Sequence, residues 1–173
     1  MRREIYRGRI VDLRLERVTL PNGAVADLEL MHHPGAACVA AVDENRRVML
    51  IRQYRHAAGE YLWELPAGIL APNEEPQACA RRELTEETGL QASTVEPLGA
   101  ILPTPGYSDE RIHMFLATDL QAGDTAHEAD EVITEMRWVE LGEALDMIAR
   151  GEVIDAKSVA GLHLTAARLG VLR

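Results

Sequence analysis

Three glutamates, Glu83, Glu86 and Glu87, crowd the stretch ACARRELTEETGL. At about 100° per helical residue, Glu86 lies roughly 60° to one side of Glu83 and Glu87 roughly 40° to the other, so all three point the same way. Like charges three or four apart on an open helix cost about 0.2–0.5 kcal/mol per pair. Two charges ~6 Å apart in a cleft of effective dielectric ~20 repel by roughly 3 kcal/mol. A divalent cation removes that cost, and hard oxygen ligands with room for water and phosphate suit Mg²⁺ or Mn²⁺. The same residues also read as a solvated acidic face partly neutralised by Arg81 and Arg82, and the glutamates alone do not separate the two.

The elements around them can be read from pattern. Pro76 fits the first turn of a helix and Gly89 its left-handed cap, which predicts a helix over 76–88. Upstream, RIVDLRLERVTL alternates Val11, Leu13 and Leu15 against Asp12, Arg14 and Glu16, a strand period. Pro21-Asn22-Gly23 supplies a turn and AVADLELMHH a returning strand, so residues 4–33 are expected to form a hairpin. Short buried strands follow at 37–42 and 48–54, then the apolar piece LWELP. Further strands are expected near 95–102, 112–118 and 136–140, and helices over 141–151 and 158–170, each stopped by glycine. Strands mixed with a central and two C-terminal helices give an α/β (α+β) fold, a mixed sheet flanked by helices.

The chain has 173 residues and a formal net charge of −10, a balance that argues against nucleic-acid or anionic-membrane partners, which need clustered Lys and Arg. A small phosphate ligand stays admissible where a cation or local arginines offset the field. Cys38 and Cys79 are the only cysteines; they lack CxxC spacing, sit among apolar residues and read as buried free thiols. A charged N-terminus and no long apolar run make a cytoplasmic protein the expectation.

Gly68, Glu74 and the run Arg82-Glu83-Leu84-Thr85-Glu86-Glu87-Thr88-Gly89-Leu90 are similar, at every defined position, to the signature box of the Nudix hydrolases. The resemblance implies a loop-helix-loop that binds divalent metal, cleaves a nucleoside diphosphate linked to another group, and sits in an α/β/α sandwich. It divides the chain into a hairpin extension at 1–34, a dimerisation element, and a Nudix domain at 35–173. Gly68 allows a close backbone approach, which makes the Ala67 carbonyl a candidate metal ligand beside Glu83, Glu87 and Glu86. Glu74 and Arg82 read as an ion pair pinning loop to helix; Leu84 and Leu90 face the core.

Outside the box, RQYR and ELPAG, and Pro105 in PTPGYSDE, resemble the ADP-ribose pyrophosphatase branch, with Thr104 where that branch has serine. This implies hydrolysis of ADP-ribose, or a related nucleoside diphosphate sugar, to AMP and ribose 5-phosphate. It implies substrate contacts at Arg55, Arg52, Ile69, Gly106, Tyr107 and Glu110, and a homodimer. The segment HEADEVITE stands where the branch carries a catalytic glutamate: Glu131 is the first choice for general base and metal contact, Glu128 the second, with Glu86 the remaining candidate. Other Nudix substrates, such as GDP-mannose or a dinucleoside polyphosphate, and a non-hydrolysing ADP-ribose sensor are the alternatives; the intact box weighs against the sensor.

Overall fold

The computed structural model describes residues 2–125 and 132–171. Its centre is strand β4, Ala36–Ala41, whose six residues are all buried. Alternation along this strand explains the layering. Ala37, Val39 and Ala41 face one way, onto Cys79, Ala80 and Leu84; Ala36, Cys38 and Ala40 face the other, onto Leu162, Ala166, Ala144 and Met147. A strand that is apolar on both faces must be covered on both, and helices do this. Helix α1, Pro76–Thr88, lies on one side; α2, Leu141–Ala149, and α3, Ala156–Arg168, lie on the other.

The central sheet has the order β7-β4-β9-β8. Here β7 is Ala67–Ile69, β8 is Leu90–Ile101 and β9 is Ile112–Ala122. Strand β4 runs parallel to β9 and antiparallel to β7, so the sheet is mixed. A second, antiparallel sheet has the order β10-β5-β6, with β5 Arg47–Arg55, β6 Glu60–Glu64 and β10 Ile133–Glu140. The α/β/α sandwich of the sequence reading is observed.

Helix α1 has the boundaries that Pro76 and Gly89 predict: Pro76 opens it, and Gly89, at φ 71°, donates its N–H to the Thr85 carbonyl. Helix α3 starts two residues earlier than periodicity suggests, because the Asp155 side chain accepts from the Ser158 N–H and caps it. The N-terminal segment is a three-stranded sheet rather than a hairpin. Strands β2, Asp12–Thr19, and β3, Val25–His32, form the expected pair around Pro21-Asn22-Gly23, and β1, Arg2–Arg7, adds to β2. All six β1 residues are exposed, so burial imposes no alternation on that stretch. Strand β7 is likewise unforeseen. Three residues are too few to show a period, and it forms because Gly68 pairs beside Ala37.

Candidate active site

The helix α1 carboxylates meet the chain at β7. Glu83 and Glu87 lie on the buried side of α1, 7% and 1% exposed, while Glu86 is half-buried. The Ala67 N–H donates to Glu87 Oε2 at 3.0 Å. Gly68 is the hinge of this contact: a Cβ there would stand 1.9 Å from Glu83 Oε1, so only glycine lets the carboxylate rest on the backbone. Arg82 completes the corner. Its Nε and Nη2 fork onto Glu74 at 2.9 and 3.0 Å, and its Nη1 donates to Glu83 at 2.5 Å and to Glu86 at 2.8 Å. The guanidinium holds the Glu74 carboxyl down at about 2. The Glu74–Arg82 pin is therefore seen, and it reaches two further carboxylates as well. Arg81 turns away, donating to the carbonyls of Ala92 and Ser93.

A divalent cation suits this corner by the chemistry of its donors. Glu83, Glu87 and the Ala67 backbone offer hard oxygens, and the Glu83 carboxylate lies where a side chain at position 68 would otherwise stand. Among the described residues no three acidic, His or Cys side chains close into a cage. An ion here would complete its shell with water and substrate oxygens, as Mg²⁺ characteristically does.

A cleft of ≈620 Å³ opens beside the corner, lined by Ala67, Gly68, Ile69, Arg82, Glu83 and Glu86 on one wall and by Gln53 and Arg55 of β5 on the other. Arg9 and Ile10, between β1 and β2, also reach it. Arg55 is set by a buried network. Its Nε and Nη2 fork onto Glu64 at 2.8 and 2.7 Å, and Glu64, 1% exposed, also accepts from Lys157 Nζ. Lys157 reaches Asp155 at 2.9 Å, and the Ser158 hydroxyl donates to Asp155 at 2.6 Å while accepting from the Leu65 N–H at 2.8 Å. Burial works against the Lys157 charge, but Glu64 and Asp155 outweigh it and raise its pKa above the usual lysine value. The network thus ties the start of α3 to the strand bearing Arg55.

The NUDIX domain family pattern matches residues 31–162. The chain belongs to the Nudix family. An ADP-ribose pyrophosphatase of Mycobacterium tuberculosis is 39% identical over 160 residues, covering 91% of this chain and 77% of that protein. An ADP-ribose pyrophosphatase of Bacillus subtilis is 38% identical over 161 residues, covering 92% and 87%. A solved structure of an ADP compounds hydrolase superposes with a TM-score of 0.84 over 99% of this chain and 92% of that one. At 22% identity it bears on the fold alone.

Of the positions the Nudix resemblance marks, Arg55, Ile69, Ala67, Glu83 and Glu86 line one cleft, and Glu87 bonds to its rim at Ala67. Arg52 does not join them. It sits on the opposite face of β5, its guanidinium 5.4 Å over the Tyr61 ring, because successive strand residues alternate sides. Gly106, Tyr107 and Glu110 lie in the loop before β9, which is docked on β3: the Met31 N–H donates to the Tyr107 carbonyl at 2.7 Å. Tyr107 is 53% exposed, and Glu110 stands 3.6 Å from His33 Nδ1. His32 is gripped on both nitrogens, by Asp109 at 2.6 Å and Glu16 at 3.1 Å. Glu131 and Glu128 lie outside the described residues. Trp63 packs against the core with Arg137 4.6 Å above its ring.

Sequence reasoning passed over Gln53, Glu64, Lys157, Arg9 and Ile10. Strand alternation could have found Gln53, since it shares a face with Arg55 two residues on. Nothing in spacing links Glu64 to Lys157, 93 positions apart.

Proposed function

We propose that this Nudix hydrolase cleaves the diphosphate of ADP-ribose, or of a closely related nucleoside diphosphate sugar, to AMP and ribose 5-phosphate. Mg²⁺ is the proposed ion, with Mn²⁺ able to replace it. The observation that carries the reading is a single cleft with a guanidinium, Arg55, on one wall and the carboxylates of the Nudix helix on the other. Likeness to two ADP-ribose pyrophosphatases over nine-tenths of the chain supports the choice of substrate.

In this reading Glu83, Glu87 and the Ala67 carbonyl hold the metal, with Glu86 beside them. When bound it neutralises the diphosphate and polarises phosphorus. Arg55 forks to a phosphate oxygen, and Ile69 packs against the nucleotide. Glu131, or failing it Glu128, takes the proton of the attacking water, which displaces the leaving phosphate in line. Positioning and charge stabilisation supply most of the acceleration.

The same proposal includes a cytoplasmic homodimer in which residues 1–34 form an extension on the domain of 35–173. Ile5, Tyr6 and Val25 are 49%, 60% and 63% exposed on the N-terminal sheet, apolar surface that a second copy would cover. Two buried free thiols accord with a reducing compartment. A monomeric mass in solution together with full activity would refute the dimer.

The test is product analysis on a panel of nucleoside diphosphate sugars with Mg²⁺ in ¹⁸O-labelled water, which reports substrate and point of attack together. Glu83→Gln and Glu87→Gln are expected to lose at least about a hundredfold in kcat and to weaken Mn²⁺ uptake measured by electron paramagnetic resonance. Unchanged turnover and uptake in both would overturn the assignment.

A further inference from the structure

Arg55 lines the cleft, yet it passes over the carboxylate nearest to it on the sheet. Across the ladder Arg55 stands opposite Glu60, and Glu64 stands opposite Ile51. An arginine seeking only a countercharge would pair with the residue directly opposite, and Glu60 is exposed and within that reach. The Arg55 side chain instead folds back along the strands to Glu64. The two differ sharply in access to water: Arg55 is 40% exposed at its side chain and Glu64 1%. Burying an ion pair seldom stabilises a fold more than apolar packing of the same shape would, so stability alone does not account for this choice of partner. The geometry of the contact does. Of the five N–H bonds of the guanidinium, Nε and one on Nη2 go side-on to the two oxygens of Glu64. The opposite edge, made by Nη1 and the second Nη2 hydrogen, stays available, and Nη1 has no hydrogen-bond partner among the described residues. Glu64 is itself fixed from behind. Lys157 donates to it, Asp155 holds Lys157, and Ser158 binds the N–H of the next residue, Leu65.

We propose that Glu64 is a positioning residue: it fixes the Arg55 guanidinium side-on, so that the free edge is presented to a phosphate oxygen of the substrate. This rests on the reading of the cleft as a nucleoside diphosphate sugar site. An arginine carries several rotatable bonds, and a fork that is already set loses less freedom when the anion arrives. Glu64 touches no substrate atom in this arrangement and acts only through Arg55.

The test is a double-mutant cycle in steady-state kinetics with ADP-ribose and Mg²⁺, on wild type, Glu64→Gln, Arg55→Met and the two together. Glu64→Gln keeps the shape but offers the guanidinium one acceptor in place of two. It is expected to raise KM about tenfold while kcat moves less than about threefold, the pattern of lost ground-state binding. Arg55→Met should raise KM at least about tenfold. The double variant should match Arg55→Met alone, because no guanidinium remains to be oriented. A structural role for Glu64 would add its own loss on top of that of Arg55→Met, and that outcome overturns the proposal. Unchanged KM in Glu64→Gln overturns it too, as does unchanged KM in Arg55→Met. Should Glu64→Gln fail to fold, Glu64→Asp takes its place in the cycle, since it keeps the charge facing Lys157 and draws the carboxylate back by one methylene. A wild type that hydrolyses another sugar nucleotide and leaves ADP-ribose intact refutes the substrate reading instead, and the cycle is then decided on that sugar nucleotide.

Discussion

Replacing Lys157 by Met tests whether the network behind Arg55 shapes the site. Lys157 is 11% exposed at its side chain and Glu64 1%, so the pair is shielded from screening by solvent. Removing one partner of a buried ion pair costs about 3–5 kcal/mol, much of it from the charge left behind. Here neither carboxylate is stranded: Glu64 keeps both bonds from Arg55, and Asp155 keeps the Ser158 N–H and hydroxyl. The lower end, about 3 kcal/mol, is therefore expected. At about 2–4 °C per kcal/mol for a chain of this size, melting should fall by roughly 6–12 °C. The measurement belongs near pH 7.5. Lys157 has a raised pKa, so its contribution is complete below the ordinary lysine value and is lost only as pH climbs through the higher folded one. Asp155 has a lowered pKa, its burial outweighed by Lys157 and Ser158, so its contribution is complete above the ordinary aspartate value and is lost as pH falls through the folded one. Both are fully charged at neutrality. Activity should change in a particular way: Glu64, no longer shared, holds Arg55 more tightly, so KM rises while kcat moves little. A Lys157→Met protein melting within about 2 °C of wild type would refute the reasoning, since a shift that small is under ~1 kcal/mol for this chain length.

Other outcomes can be stated briefly. Gly68→Ala places a methyl 1.9 Å from Glu83 Oε1; at least about a hundredfold loss of kcat is expected, as the displaced carboxylate no longer shares the corner with Glu87, and near-normal turnover would show that the loop can yield. His32 has its pKa raised by hydrogen bonds to Asp109 and Glu16. Its stabilising effect is thus complete below the ordinary histidine value and fades as pH rises through the folded one. Amide exchange in β3 should quicken from pH 6 to pH 8.5 beyond the intrinsic base-catalysed rate, and His32→Gln should flatten that excess. Gly89→Ala forces a side chain to φ 71° with a carbonyl, that of Gly123, 2.7 Å from the new Cβ; destabilisation of about 1–3 kcal/mol is expected by chemical denaturation.

The sequence was most legible where one short element carries both its boundary signals and its chemistry. Helix α1 shows its proline, its glycine cap and its carboxylates within one stretch, and the structure keeps all of them. The two-sided burial of β4 was legible too, as an unbroken apolar run. Legibility failed for elements with no burial to impose a period, such as the exposed β1, and for those too short to have one, such as β7. It failed differently at Arg52. Two arginines, at positions 52 and 55, looked like neighbours in sequence, but the pleat sends them to opposite faces, so Arg52 meets Tyr61 while Arg55 meets the cleft.

The crowding of acids on α1 proved weaker as an argument for metal than it looks from sequence, and burial proved stronger. Arg82 alone reaches Glu74, Glu83 and Glu86, so much of the mutual repulsion is already offset by one guanidinium. What a solvated acidic face does not explain is Glu87. A surface glutamate has no reason to be 1% exposed, and placing a carboxylate there costs several kcal/mol unless groups fixed around it return the lost hydration. The Ala67 N–H returns part of it. The bare Cα of Gly68 lets the neighbouring Glu83 carboxylate lie against the same stretch of backbone. The hydrogen bond from Ala67 to Glu87 and the absence of a side chain at Gly68 therefore point to one requirement. The backbone preceding the helix must lie close enough to bond to one carboxylate while another passes over it.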